Sequence, residues 1–143
     1  MKNIRLKVIE ESDLQKWEED LKFFSAPPFF APAWLESFRN KNRKPIYLRF
    51  VSDRKTIGVA AGLRNEPSNA LMKKLFRILF FYSGPAVAGA NEELTKLCMA
   101  ELIRYAREIQ YTYVKLESWD FPCAVNTHGL SFKPTIRKEY IVD

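Results

Sequence analysis

Two apolar segments, Pro45–Ser52 and Thr56–Asn65, are separated only by Asp53-Arg54-Lys55, and this spacing constrains the fold more than anything else in the chain. In the first, Ile46, Leu48 and Phe50 alternate with Tyr47, Arg49 and Val51, the two-residue period of a half-buried strand. So short a connection leaves no length for a crossover, so the two strands must pair antiparallel as a hairpin. Gly58 and Gly62 interrupt the second strand, either marking close backbone approach or permitting a bulge.

Around this hairpin the sequence alternates helical and extended periods. Ile4–Ile9 has the pattern of a first strand, and Ser12 stands where a helix N-cap belongs, with Asp13 adding negative charge. Leu14, Trp17, Leu21 and Phe24 then share one helical face, which must end before Ser25-Ala26-Pro27-Pro28. Pro32 opens a second helix with Trp34, Leu35 and Phe38 on its buried side. Residues 67–74 are expected to form a loop or short basic turn, and Leu75–Ser83 a buried central strand stopped by Gly84-Pro85. Asn91 caps the clearest helix of the chain, in which Leu94, Leu97, Cys98, Leu102, Tyr105, Ala106 and Ile109 recur at helical spacing to about Gln110. Thr112–Ser118 is a further strand, Pro122–His128 a short helix and Lys133–Val142 a last strand.

The order β-α-α-β-β-β-α-β-α-β puts a hairpin first and a strand–helix–strand crossover second. The crossover makes its flanking strands parallel or near-parallel neighbours. An α/β (α+β) fold follows: a mixed, mainly antiparallel sheet with helices on both faces. At 143 residues the chain is long enough for one domain and too short for two of ordinary size.

Composition narrows the partners. The chain carries 23 Lys and Arg against 17 Asp and Glu, a net charge of +6, which favours an anionic partner: a phosphate-bearing cofactor, RNA or an acidic lipid surface. The same charge also serves solubility alone. The longest apolar stretch, LFRILFFY at 75–82, is far short of the ~20 residues of a membrane span. The N-terminus has no apolar run of signal-peptide type, and two Cys suit a reducing cytoplasm at least as well as a disulfide, so a cytoplasmic location is expected. Cys98, Cys123 and His128 are too few to build a zinc cluster from side chains of those types, and no metal is expected. Cys98, on the buried face of its helix, should be inert, and His128 beside Gly129 structural.

The element order is that of the GNAT acyltransferase fold. At the residue level the chain resembles one domain of the FemAB-type proteins, which add amino acids to peptidoglycan precursors. The likeness lies in Pro28-Phe29-Phe30-Ala31-Pro32-Ala33-Trp34-Leu35, in Pro45-Ile46-Tyr47-Leu48 before Ile57-Gly58-Val59-Ala60-Ala61-Gly62-Leu63, and in Tyr82-Ser83-Gly84-Pro85-Ala86-Val87 before the long helix. Tyr113-Val114-Lys115-Leu116-Glu117, Gly129-Leu130-Ser131-Phe132 and Tyr140-Ile141-Val142-Asp143 complete it.

The resemblance implies transfer of an activated acyl or aminoacyl group to an amine. Its implied partners are an aminoacyl-tRNA and an anionic cell-wall precursor, with a second GNAT-like domain or a homodimer partner supplying the other half. In acetyltransferases of this fold the donor is acetyl-CoA, its pyrophosphate lying on a Gly-rich loop at a helix N-terminus. Here that loop is Gly84–Asn91, which lacks the Arg/Gln-x-x-Gly-x-Gly/Ala pattern and includes Pro85, with no N–H to offer. A small CoA-dependent N-acyltransferase is one competing reading, and the missing loop pattern argues against it. A non-catalytic binding or assembly module is the other.

Acyl transfer to an amine needs a base and donors for the carbonyl oxygen. Glu117 at a strand end and Asp120 just after it are the candidate bases, against the commoner role of a hydrogen-bonded strand-end carboxylate. Tyr82, Ser83, Gly84 and Trp119 are candidates for substrate binding, although Trp119 equally fits packing at a sheet rim. Lys73, Lys74 and Arg77 are the basic cluster with aromatic neighbours and the candidates for phosphate contacts, against a plain solvated face.

Overall fold

The computed structural model describes residues 5–117. The expected short helix at 122–128, the last strand at 133–142, and Trp119, Asp120, Cys123 and His128 lie outside these residues.

The sheet contains β1 (Lys7–Glu10), β2 (Arg43–Ser52), β3 (Lys55–Asn65), β4 (Ile78–Phe81), β5 (Ala86–Val87) and β6 (Tyr113–Leu116). The strands lie in the order β1-β2-β3-β4-β6, with β5 also on β3. Every pairing is antiparallel except β4 with β6, the two strands joined by the crossover. The hairpin turn is tighter than the sequence suggested. Ser52 pairs directly with Lys55, and Asp53 and Arg54 both take positive φ, 47° and 66°, as a two-residue turn with right-handed strand twist requires. Phe50 pairs with Gly58 and Val51 with Thr56, so Ile57 is an extra residue in β3 and a bulge sits beside Gly58.

Helices cover both faces. On one side α4 (Glu92–Glu108) lays Cys98, Met99, Leu102 and Ala106 on Ile46, Leu48, Phe50, Ala60, Leu79 and Phe81. Asn91 caps α4 as expected, its side chain accepting from the Leu94 N–H at 3.1 Å. On the other side α1 (Leu14–Phe23), a single 3-10 turn (Pro28–Phe30) and α2 (Pro32–Glu36) bury Trp17, Phe24, Phe30 and Leu35 against Tyr47, Val59, Ala61 and Leu63. β2 is therefore covered on both faces, not half-buried. Its alternation distinguishes two cores, and Arg49, the charged residue of the pattern, is neutralised by Glu11 at 3.1 Å and Asp20 at 2.8 Å. Burial pushes the Asp20 carboxyl up while Arg49 pulls against it.

Three local expectations are corrected. The N-cap of α1 is Asp13, not Ser12: its Oδ1 accepts from the N–H groups of Gln15 at 3.0 Å and Lys16 at 3.3 Å. Residues 67–74 contain a helix, α3 (Ala70–Leu75), started by Asn69, whose side chain accepts from the Leu71 N–H at 2.9 Å. Because α3 takes Leu75, β4 begins only at Ile78. Trp34 and Leu14, expected on buried faces, are partly exposed at the rims of their helices. Among the described residues no helix is long and apolar enough to cross a membrane.

Candidate active site

β4 and β6 run side by side from Ile78/Tyr113 to Phe81/Leu116, and the Glu117 N–H still donates to the Phe81 carbonyl at 2.8 Å. Immediately past this bond the β4 chain leaves its ladder. Between the pairs Leu63–Phe80 and Val59–Ala86, β3 has three residues while the opposite chain has five. The two extra residues throw Tyr82-Ser83-Gly84-Pro85 into a bulge before the chain rejoins β3 as β5.

The two β3 glycines flank this bulge. A Cβ on Gly62 would drive into the Phe80 carbonyl oxygen, and one on Gly58 would come within 2.9 Å of a Val87 methyl and 3.1 Å of the Ala86 oxygen. Both mark close backbone approach, and Gly58 also borders the hairpin bulge, so both halves of the sequence expectation hold.

Tyr82 leads the bulge and is fixed by rings from three directions. Its ring centroid lies 4.7 Å from Phe80, 5.8 Å from Phe38, and 6.1 Å from both Phe29 and Trp34. The aromatic-Pro segment before α2 and the Tyr-Ser-Gly-Pro segment, distant in sequence, thus meet in space. Burial pushes the Tyr82 phenol above its ordinary value, with Arg43 pulling down and Glu117 adding a further push upward. Glu117 thus lies near enough to Tyr82 for its carboxylate to disfavour the phenolate. Glu117 itself forms an ion pair with Lys115 at 3.2 Å. Ser83 is buried and Gly84 half-buried behind Tyr82. Tyr82, Ser83 and Gly84 thus follow the end of β4, and Glu117 follows the end of its parallel neighbour β6.

Lys73, Lys74 and Arg77 stand at the other end of β4. Lys73 and Lys74 occupy the last turn of α3. The Arg77 guanidinium donates to the Ile109 carbonyl at 2.7 Å and to Glu66 Oε1 at 3.0 Å, and lies 4.4 Å over the Tyr111 ring. Glu66 also accepts from the Tyr111 hydroxyl at 3.0 Å and pairs with Lys73 at 3.3 Å. Burial would raise the Glu66 carboxyl, but hydrogen bonds from Arg77, Tyr111 and Lys73 outweigh it and hold it below its ordinary value. Tyr111, desolvated and donating to that carboxylate, is pushed up to about 12. Arg77 is thus engaged within the fold, an arrangement the sequence did not reveal because its partners come from two distant segments, Glu66 and residues 109–111. Beside this cluster lie two open depressions of about 310 and 180 Å³, lined chiefly by polar and basic residues.

The start of α4 is a poor cradle for a pyrophosphate. Pro85 offers no N–H, the Leu94 N–H is already taken by Asn91, and Glu92 and Glu93 fill the first turn where an anion would sit. The residues present do not fit the diphosphate of a coenzyme A thioester. Cys98, buried beneath this helix, has its thiol pushed up to about 12 by desolvation and is inert, as expected.

No protein-family model matches the chain, and no curated protein does. Solved structures do resemble it over nearly their whole length. A Trypanosoma brucei acetyltransferase is 20% identical, with a TM-score of 0.55 over 98% of this chain and 99% of its own. A ribosomal-protein-alanine N-acetyltransferase from Brucella melitensis biovar Abortus is 11% identical, with a TM-score of 0.57 over 96% and 98%. An aminoglycoside N-acetyltransferase in complex with CoA is 14% identical, with a TM-score of 0.55 over 99% and 97%. With a mixed, mainly antiparallel sheet, helices on both faces and a parallel β4–β6 pair across a crossover helix, the chain has the fold of the GNAT acetyltransferases.

Proposed function

We propose that the protein transfers an activated aminoacyl group to an amine, and that the reaction takes place against the wall formed by residues 82–85 and Glu117. The observation that carries this reading is the bulge at the end of β4. It puts Tyr82 just past the end of β4, opposite the end of β6 where Glu117 lies and the two parallel strands stop pairing. The amine attacks the ester carbonyl, its nitrogen bonding to the carbonyl carbon while the carbon–oxygen bond to the donor breaks. Glu117 takes the proton the amine sheds and returns it to the donor's ester oxygen as that oxygen leaves. Tyr82, Ser83 and Gly84 position the acyl group.

The donor most compatible with the chain is an aminoacyl-tRNA of the kind the FemAB resemblance implies, with an anionic cell-wall precursor as acceptor. An acyl-CoA is the poorer donor because Glu92 and Glu93 repel its diphosphate. Trp119 and Asp120, the remaining candidates of this site, are proposed to complete it.

The test incubates the purified chain with radiolabelled aminoacyl-tRNA and a peptidoglycan precursor bearing a free amine. Wild-type protein is expected to label the precursor, and Glu117→Gln to reduce the rate about a hundredfold or more. Labelling from acetyl-CoA instead would replace the donor. Labelling from neither, with tRNA still bound, would make the chain a binding module.

A further inference from the structure

We infer that α3 is a docking device for an anionic lipid surface, independent of the acyl-transfer wall. The helix interrupts the connection between two neighbouring strands of the sheet, yet buries none of its own residues. Leu71 is 67% exposed and Leu75 53%, with Met72 and the capping Phe76 also open to solvent. A solvated polar linker has no use for four such side chains in a row of seven residues.

Their arrangement is not random. At about 100° per residue, Leu71, Leu75 and Met72 fall on one arc of the helix, and Lys73 and Lys74 project outside it. This is the pattern of a helix lying in a membrane interface, with apolar residues dipping among acyl chains and ammonium groups at headgroup level. Tyr113, 61% exposed, stands at the same end of the sheet beside Arg77 and supplies an amphipathic ring of interfacial type.

Charge decides the occupant. The depressions beside α3 are lined by Lys41, Arg43, Lys44, Arg64 and Lys73; Arg64 pairs with Glu10 and Lys73 with Glu66, while Lys41, Lys44 and, on the helix, Lys74 form no ion pair among the described residues. A second copy meeting this face through its own α3 would bring the lysines of both copies together, which is unfavourable. An RNA would satisfy the cations and could stack on Phe76 or Tyr113, but it would leave the aliphatic arc of Leu71, Met72 and Leu75 without a partner. An anionic bilayer satisfies both features, because polybasic and apolar groups on one short element are the two signals that surface anchoring needs.

The test is co-sedimentation of the full chain with phosphatidylcholine vesicles, with and without phosphatidylglycerol. Binding is expected only with the anionic lipid, weakening as salt rises. The double variants Leu71→Ser/Leu75→Ser and Lys73→Gln/Lys74→Gln are each expected to bind about tenfold more weakly or worse. All four positions are surface-exposed, and matching thermal midpoints will show that the variants fold. Three results would overturn the inference. One is wild-type failure to bind anionic vesicles. Another is unchanged vesicle binding by Leu71→Ser/Leu75→Ser. The third is a dimer on gel filtration that this variant abolishes. Binding of tRNA lost only in the lysine variant, with no vesicle binding, would assign the surface to RNA instead.

Discussion

At the start of β4, Arg77 is gripped by a carboxylate, a carbonyl and the face of Tyr111; at its end, Tyr82 is gripped by four aromatic rings and feels the charge of Glu117. Four residues of strand, about 13 Å, separate the two arrangements. Both hold a side chain in place, one through ionic hydrogen bonds and the other through aromatic contacts. The ionic end spends its charges on one another and on the β3–α3–α4 junction. The aromatic end fixes its phenol through ring contacts alone. Within the basic cluster Arg77 is the member committed to the fold, sharing Glu66 with Tyr111 and Lys73, while Lys74 forms no ion pair among the described residues.

The variant that most severely breaks the comparison is Gly62→Ala, because it attacks the backbone contact that joins both ends to β3. A methyl group forced onto the Phe80 carbonyl must push β4 off the sheet, and a loss of about 3 kcal/mol or more is expected in urea unfolding. A loss below about 1 kcal/mol would mean that the β3–β4 contact yields easily.

Glu66→Ala removes the hub of the ionic end and leaves Arg77 half-buried with one partner fewer. An effect of about 2 kcal/mol is expected, moderated by the partial exposure of the cluster. The aromatic end should be untouched, so the fluorescence environment of Trp34 should not change.

The pH dependence sharpens the same point. The folded-state carboxyl of Glu66 lies below its ordinary value of 4.5, so its stabilising contribution is fully present above that pH and is lost as pH falls through the lower folded value. The stability difference between wild type and Glu66→Gln should be largest above pH 4.5 and should shrink in acid. A constant difference across the acid range would show that the carboxylate gains nothing from Arg77, Tyr111 and Lys73.

Tyr82→Phe should have the smallest effect on stability, under about 0.5 kcal/mol, because the ring contacts remain. Its expected signature is kinetic, a slower transfer rate with an unchanged unfolding midpoint. A large stability loss would instead make the hydroxyl a structural group.

Much of the fold was legible because periodicity reports burial directly. The hairpin, the Asn91 cap and the buried stripe of α4 were all visible in residue spacing. The misreadings share a physical cause. Ser12 and Asp13 both suit an N-cap, and only the path of the chain selects Asp13. Residues 70–75 carry an apolar arc that faces no core, so a pattern that normally signals burial had no interior to signal.

The candidate wall was only half legible. Tyr82, Ser83, Gly84 and Glu117 were identified from their strand-end positions, and β4 and β6 do end side by side. The aromatic surround of Tyr82 was not, because it is assembled from residues 29, 34, 38 and 80 and no local spacing announces it. A cluster of aromatic residues with prolines ahead of a short helix was the available signal.

The most direct test of the acyl-transfer wall is an NMR titration of the ¹⁵N-labelled chain with a hydrolysis-resistant aminoacyl-adenosine amide. The account predicts amide shifts concentrated at Tyr82, Ser83, Gly84 and Glu117, with the start of α4 unmoved. Shifts confined to residues 88–94, or none at saturating ligand, would contradict it.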